Sequence, residues 1–436
     1  METNEKEYIY GHLRQFVRAA EPLESLMRMP ESRATEPDTR HRVRGVAVPY
    51  PCSDDTEPYR ERDGHIEFSH DLIRSAFYIL SGRQEYETCV RDKWGRFPYE
   101  ESYQSKTGTI GIPLANYYFE WIAEGVEREC ALRGVRCERT NPLGGVPVLH
   151  MTHDVDLLRY YTTRKALFRT AQVVGLRRCD TDRLRLTKAA VGSLMQAVGL
   201  RRHENPYWSF DKITGNENYM GYHSTWFFLP DDGGPFAPDY ALTDRDVMTK
   251  MEELARAGHD IGLHAPIRCQ RADEYTTWMS AMRGAAAGAL PYCRQHFLAV
   301  DAQRTLRAME EAGIEVDSSL GFSAHEGFRN GYCFPFHPYD HERGRKMKIL
   351  EIPLMAMDTT MLTHRGLSYD EIYISMGEML DEVRHFGGVL SVLWHNTTFD
   401  EVYHPGIFRF YEGLHTMLAQ YQMQGLTTRE IAERCQ

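Results

Sequence analysis

Beyond about residue 146, two periods of apolar residues take turns along the chain. Short segments at 146–151, 224–229, 259–263, 292–298, 315–316, 349–354 and 389–394 read as strands, and the apolar runs at 146–151 and 389–394 as strands buried on both faces. Between them, at 243–257, 272–288, 300–312 and 368–386, apolar residues recur at helical spacing and predict helices that bury one stripe. Such alternation predicts an α/β domain over 146–430, a mostly parallel sheet covered by helices, with a helical and strongly basic insertion at 159–202. Upstream, 41–140 reads as a smaller α+β unit. It has a strand-like segment at 42–48, helical spacing at 71–80, and a longer helix at 113–132 whose stripe is Leu114, Tyr117, Tyr118, Trp121, Ile122 and Val126. Residues 1–40 are polar, carry Pro22, Pro30 and Pro37, and sustain no period, which predicts a loose segment with a short helix at most.

What the strands end in changes the picture. Val146-Pro-Val-Leu-His-Met-Thr-His-Asp-Val-Asp156 runs from an apolar strand straight into His153, Asp154 and Asp156. Positions two apart share one face of an extended strand, so Asp154 and Asp156 set two like charges side by side at the edge of a core. That is costly unless a cation or a proton lies between them; a solvated acidic turn is the plainer reading of the same residues. In Gly258-His-Asp-Ile-Gly-Leu-His264 and Gly387-Gly-Val-Leu-Ser-Val-Leu-Trp-His395, a glycine can close a helix and the short strand that follows ends in histidine. Strands ending in Asp, His and His suit an α/β protein whose site is built at the carboxyl ends of its strands.

These segments, together with Ser224-Thr-Trp-Phe-Phe228, Arg294-Gln-His296, Asp317-Ser-Ser-Leu-Gly-Phe322 and Gly327-Phe-Arg-Asn-Gly331, resemble the polysaccharide deacetylase family, also called NodB-like or carbohydrate esterase family 4. Within it they are most similar to the branch found in bacterial exopolysaccharide gene clusters. Ser69-His-Asp-Leu-Ile-Arg74 and Asp92-Lys-Trp-Gly-Arg-Phe-Pro98 resemble the N-terminal region that accompanies this branch. The resemblance implies an irregular (β/α) barrel and metal-dependent removal of an acetyl group from an N- or O-acetylated saccharide of a surface-polysaccharide pathway. Carried over motif by motif, Asp154 would be the general base, Asp156 a metal ligand and His395 the general acid. Arg294 would orient Asp154 and hold it ionised, and Asp358 would be the acid behind the catalytic histidine. The implied metal is divalent, zinc first, with cobalt or nickel as alternatives.

One departure matters. The family's second strand ends in His-x-x-x-His with both imidazoles on the metal, whereas His264-Ala-Pro-Ile-Arg268 has a guanidinium at the second place, and a group that stays protonated cannot coordinate. Asp156 and His264 alone would hold zinc weakly. His296, two residues past Arg294 on the same strand face, is the first candidate for a third ligand and His153 the second; either could equally be a core histidine. Arg268 near the site would favour an anionic group on the substrate, unless its loop turns away and it pairs with a surface acid. Arg329, in an aromatic loop bounded by Gly and Pro, and Trp394 are further candidates for binding the saccharide. The plain alternatives are a loop pinned by its phenylalanines and a core tryptophan.

At 436 residues the chain is long enough for two or three domains, and its net charge of −11 argues against nucleic acid as the main partner. No apolar run approaches the ~20 residues that cross a bilayer. Met1-Glu-Thr-Asn-Glu-Lys-Glu7 has neither the basic nor the apolar part of a signal peptide, so the expected location is cytoplasmic. Nine scattered cysteines fit reduced thiols. Neither a Gly-x-x-x-x-Gly-Lys-Ser/Thr nor a Gly-x-Ser-x-Gly motif occurs, which removes the sequence case for a P-loop nucleotidase or a nucleophile-elbow hydrolase. The basic island at 159–202 reads either as an amphipathic surface insertion or as a docking surface for an anionic glycan, a lipid-linked substrate or a membrane face. The expectation is thus a metal-dependent deacetylase whose saccharide substrate is anionic, lipid-linked or nucleotide-linked. The alternative is a catalytically silent copy of the fold that binds a saccharide or an assembly partner, Arg268 marking the loss of metal. The oligomeric state stays open at this point.

Overall fold

In the computed structural model every residue is described except 178–181, 198–203, 303 and 436. Nine strands form one sheet: β1 (Val148–Val155), β2 (Thr225–Phe228), β3 (Asp260–Ala265), β4 (Ala289–Gln295), β5 (Val316–Asp317), β6 (Leu350–Glu351), β7 (Ala356–Met357), β8 (Val389–Leu393) and β9 (Gln424–Gly425). All pairings within it are parallel. The spatial order is β6-β5-β4-β3-β2-β1-β8-β7, with β9 beside the start of β1. A doubly wound sheet would begin in its middle and grow both ways. Here β1 to β6 lie side by side in chain order, so right-handed crossovers carry their helices to one side, as in a barrel. β6 and β7 share no ladder, but only residues 352–355 separate them, and the chain itself spans the seam. The α/β class expected from the alternation is the one observed.

All eight residues of β1 are buried, as a strand covered on both faces requires. Its inward polar groups are satisfied: His150 bonds Ser391 Oγ at 2.8 Å and Thr428 Oγ1 at 2.9 Å. Gly387 ends the helix Tyr369–Phe386 at φ 66°, and a Cβ there would come within 2.7 Å of the Gly145 backbone, so only glycine lets the chain turn into β8 this tightly. The expected helix at 300–312 forms only over Thr305–Glu311. Ahead of it, Phe297 and Leu298 adopt left-handed angles, φ 60° and 51°, that no periodicity announces.

The segment expected to be loose at the start of the chain is not. Helix α1 (Thr3–Leu13) buries Tyr8, Ile9, His12 and Leu13, too short a stripe to stand out in sequence but enough to pack against Phe77, Phe119 and Tyr339. The strand expected at 42–48 is a hairpin, Arg42–Val43 and Val46–Ala47, turning at Arg44 and Gly45 with φ 46° and 84°. Helices α2 (Leu72–Leu80), capped by Asp71, and α3 (Leu114–Arg133) complete the small unit, and one apolar core runs from it into the barrel. Segment 327–337 is the junction: Phe328, Tyr332, Phe334 and Phe336 are buried, and Ala115 N donates to Gly331 O at 2.8 Å. The insertion contains α4 (Thr163–Val173) and α5 (Arg183–Ala197), packed on each other. Among the described residues no helix is long and apolar enough to cross a membrane.

Candidate metal centre and active site

Strand register brings the chemistry level. Asp154 pairs with Phe227 and Phe227 with Gly262, so two residues further on Asp156 and His264 stand at one height. His264 pairs with Arg294 and Thr152 with Leu393, which sets His296 and His395 just beyond the same edge. One ligand atom from each of Asp156, His264 and His296 lies within 4.8 Å of the others. His264 Nε2 is 3.3 Å from Asp156 Oδ1 and 3.5 Å from Asp154 Oδ2. His296 Nε2 is 3.8 Å from Asp156 Oδ1, and His395 Nε2 is 3.8 Å from Asp156 Oδ2.

The tautomer of His264 follows from its surroundings. Its Nδ1 donates to Arg294 O at 2.9 Å, so a neutral ring turns the Nε2 lone pair toward two carboxylates. That arrangement is repulsive unless a proton or a cation stands among them. Burial works to lower the His264 value, but the Asp154 and Asp156 charges raise it. Burial alone would raise Asp156; the close His264 imidazole, with the nearby His296 and His395, holds it well below the usual carboxylate range. His296 goes the other way, pushed by burial to about 4, and so presents a neutral imidazole at neutral pH. Asp154 Oδ1, Asp156 Oδ1 and His264 Nε2 are buried without a hydrogen-bond partner among the described residues. One carboxylate and two imidazoles, with an orphaned oxygen on Asp156 and an orphaned nitrogen on His264, fit a divalent ion of the zinc type.

His395 is held from behind. Its Nδ1 donates to Asp358 Oδ1 at 2.6 Å, its backbone N–H to Asp358 Oδ2 at 2.7 Å, and Thr398 Oγ1 to the same oxygen. Burial would lower the imidazole, but the Asp358 charge and hydrogen bond lift it to about 10. Arg294 differs from expectation. It is fully buried, and its Nη2 donates to Thr152 Oγ1 and Ser318 Oγ at 3.0 and 3.1 Å rather than to Asp154. Burial works against its charge, which the nearby Asp154, Asp317 and Glu351 help it to keep.

Other expected residues lie elsewhere. Arg329 is buried and closes a two-pronged pair with Glu85, at 2.9 and 2.7 Å, while its Nη1 donates to Gly321 O. Enclosed in the junction and paired with Glu85, it presents no face to a saccharide. Trp394 is fully buried among Phe399, Phe410 and Tyr411 and presents no face to a ligand. His153 points away from the cluster, bonding Trp394 O at 2.9 Å and Glu217 Oε1 at 2.7 Å. Arg268 sits exposed on the turn after β3, with no hydrogen bond or ion pair among the described residues.

An aromatic rim escaped the reading of motifs. Phe297, turned outward by its left-handed backbone, stacks on Trp94 at 4.9 Å and meets Phe236 at 5.1 Å, and its ring lies 4.4 Å from that of His296. Arg96 Nη1 fixes the Phe297 carbonyl at 2.6 Å. The Asp92-Lys-Trp-Gly-Arg-Phe-Pro98 motif was the signal, but nothing local showed which strand end it would meet.

A model of a family of unknown function, DUF7033, matches residues 16–130. No curated protein matches the chain. Among solved structures, a Mycobacterium smegmatis protein assigned as a polysaccharide deacetylase is 15% identical with a TM-score of 0.42, over 66% of this chain and 93% of that one. PuuE allantoinase is 14% identical with a TM-score of 0.42, over 68% of this chain and 93% of its own. The Bc1960 peptidoglycan N-acetylglucosamine deacetylase is 12% identical with a TM-score of 0.33, over 65% and 87%. Likeness at this level transfers no activity.

Proposed function

We propose that this protein is a metal-dependent hydrolase that removes an acetyl group from an N- or O-acetylated saccharide of a surface-polysaccharide pathway, as its sequence resemblance implies. The observation that carries the reading is the meeting, at one end of the barrel, of the Asp156, His264 and His296 donor set with Asp154 and with His395. Those three residues would hold a divalent ion, zinc first, with cobalt or nickel as alternatives, which when bound polarises the acyl oxygen and makes water a better nucleophile. Asp154 takes the proton of the attacking water as the water oxygen bonds to the acyl carbon. His395 gives its Nε2 proton to the leaving nitrogen or oxygen as the C–N or C–O bond breaks, leaving acetate and the free amino or hydroxyl sugar. Asp358, bound to Nδ1, keeps that proton on the side facing Asp156. Trp94, Phe236 and Phe297 would stack on the sugar at the rim, since aromatic faces suit the apolar faces of pyranose rings. Arg268, exposed and unpaired among the described residues, favours a substrate bearing a carboxylate, phosphate or diphosphate, including a lipid- or nucleotide-linked one. The eight described cysteines are all free thiols, which suits work in the cytoplasm.

The silent reading rests on Arg268 standing where the family has its second histidine. His296 answers it by reaching the same cluster from the next strand. Metal analysis decides between them. Incubation with zinc, cobalt or nickel should load about one ion per chain, and Asp156→Ala should abolish loading. Absence of bound metal, with a melting temperature unmoved by zinc and no release of acetate from acetylated saccharides, overturns the hydrolase.

A further inference from the structure

Fourteen large apolar side chains are exposed among the described residues, and seven of them lie on the α4–α5 hairpin. Leu167 is 71% exposed, Leu176 81%, Leu184 64% and Leu194 59%. They are not spares from the hairpin's own packing, because other residues are buried there, Ala166, Arg169, Leu186, Ala189 and Ala190 among them. Leu167 and Val174, seven apart at the end of α4, and Leu184 and Val191, seven apart on α5, each put two apolar side chains on one solvent-facing side, with the exposed Lys188 between the pair on α5. Exposure clustered in this way marks a surface made for contact.

The charge around these side chains narrows the partner. In a chain of net charge −11, residues 159–202 hold eleven Lys and Arg against two Asp. Arg159 and Lys165 fasten the hairpin to the barrel through Asp246, at 2.7 Å, and Asp239, at 2.9 Å. Arg164, Arg183, Arg185 and Lys188 are exposed and make no ion pair among the described residues. A soluble polyanion would use the charges and leave the leucines in water. A second copy of this acidic chain could cover the leucines. An anionic bilayer interface takes both at once, apolar side chains below the headgroups and guanidinium groups among the phosphates. The hairpin also leaves β1 directly after Asp154 and Asp156, so whatever it rests on lies near the carboxyl end of the barrel.

We propose that α4 and α5 form an interfacial docking element that seats this protein on the surface of an anionic lipid bilayer without crossing it. The inference stands on the hairpin alone and does not require the hydrolase reading. The full-length protein is floated with vesicles of phosphatidylcholine and with vesicles of phosphatidylcholine and phosphatidylglycerol. It should bind the second kind, less so as salt rises, and hardly the first. The paired change Leu176→Glu and Leu184→Glu should lower vesicle affinity at least tenfold, as should Arg183→Gln with Arg185→Gln and Lys188→Gln, with melting temperature and metal loading unchanged. Failure to bind either vesicle, or binding indifferent to both variants, overturns the proposal. So does equal, variant-sensitive binding to heparin, which would make the hairpin a polyanion site. A lipid-free dimer that the leucine variants dissociate, without vesicle binding, would assign the face to self-association instead. Loss of vesicle binding with metal and turnover intact separates this proposal from the fate of the active site.

Discussion

His153 and His264 are both buried near the carboxyl ends of neighbouring parts of one sheet, yet their surroundings differ in kind. Both ring nitrogens of His153 meet an acceptor, and its partner Glu217 is itself enclosed. One Glu217 oxygen takes His153 Nε2 at 2.7 Å and the Tyr411 hydroxyl at 3.3 Å, and the other takes Ser224 Oγ at 2.7 Å. Burial would raise the Glu217 carboxyl, but the His153 charge and hydrogen bond hold it below its ordinary value. His264 is satisfied on one side only. Its free Nε2 lies 3.3 Å from the orphaned Asp156 Oδ1 and 3.5 Å from Asp154 Oδ2. A closed network spends its polar groups on the fold, whereas one left open in a single direction keeps them for something that arrives. The residue types are the same; completeness tells structure from site.

The largest effect should come from the open network. Asp154→Asn keeps size and shape but cannot accept the water proton, so turnover should fall by roughly 10²–10⁴-fold with metal content intact. Unchanged turnover removes Asp154 from the mechanism. Glu217→Ala strikes the closed network instead, stranding His153, and should cost about 3–5 kcal/mol of stability in denaturant melts. In the apo protein Asp156→Ala loses the attraction of the surrounding imidazoles but also the repulsion of Asp154, so it should move stability less than Glu217→Ala does while abolishing metal binding. If the two variants destabilise alike, the contrast between the networks fails.

A histidine packed beside the closed network, its ring nitrogens without a hydrogen-bond partner among the described residues, sets a pH dependence. His415, packed on Tyr411 and Tyr222 near Glu217, is pushed by burial to about 4, from 6.5 in the unfolded chain. A depressed folded value means that its stabilising contribution is complete above pH 6.5 and is lost as pH falls toward 4, by about 3 kcal/mol at that limit. Urea melts at pH 7, 5.5 and 4.5 should show the loss. His415→Phe should flatten it, and an equally steep acid limb in that variant would assign the loss to other groups.

General acid catalysis by His395 predicts a leaving-group effect. His395→Ala should slow release of acetate from an amide or sugar ester at least tenfold more than from an aryl acetate, because a phenolate departs without a proton. Equal slowing of both substrates would make His395 a structural neighbour of Asp358.

Much of this contrast could be read along the chain, and the reason is locality. A buried strand, the glycine that starts it and the acid or histidine that ends it lie within a dozen residues, so Asp154, Asp156, His264 and His395 declare themselves. Completeness does not, because it depends on partners far away in sequence. Arg329 resembled a ligand contact until Glu85, 244 residues distant, took its donors. Trp394 and its burying rings lie on separate elements, and His153 finds Glu217 across 64 residues. His296 could be named from its place two residues past Arg294, but the left-handed turn at Phe297 and Leu298 that follows it could not, since no propensity favours it.

The same turn yields the smallest effect and the finest test. Residues held in left-handed angles without being glycine cost about 1–3 kcal/mol each, so something must hold them. Here the Phe297 ring is clamped by Trp94 and its carbonyl by Arg96, both from the small N-terminal unit. If that unit shapes the rim, Trp94→Ala removes a stacking face worth about 0.5–1.5 kcal/mol, a roughly two- to tenfold rise in KM for a saccharide. An aryl acetate too small to reach the rim should show no change in kcat/KM. Should Trp94→Ala instead lower metal occupancy, the clamp serves to hold His296 in place, and the open network depends on the N-terminal unit for its third ligand rather than for its substrate.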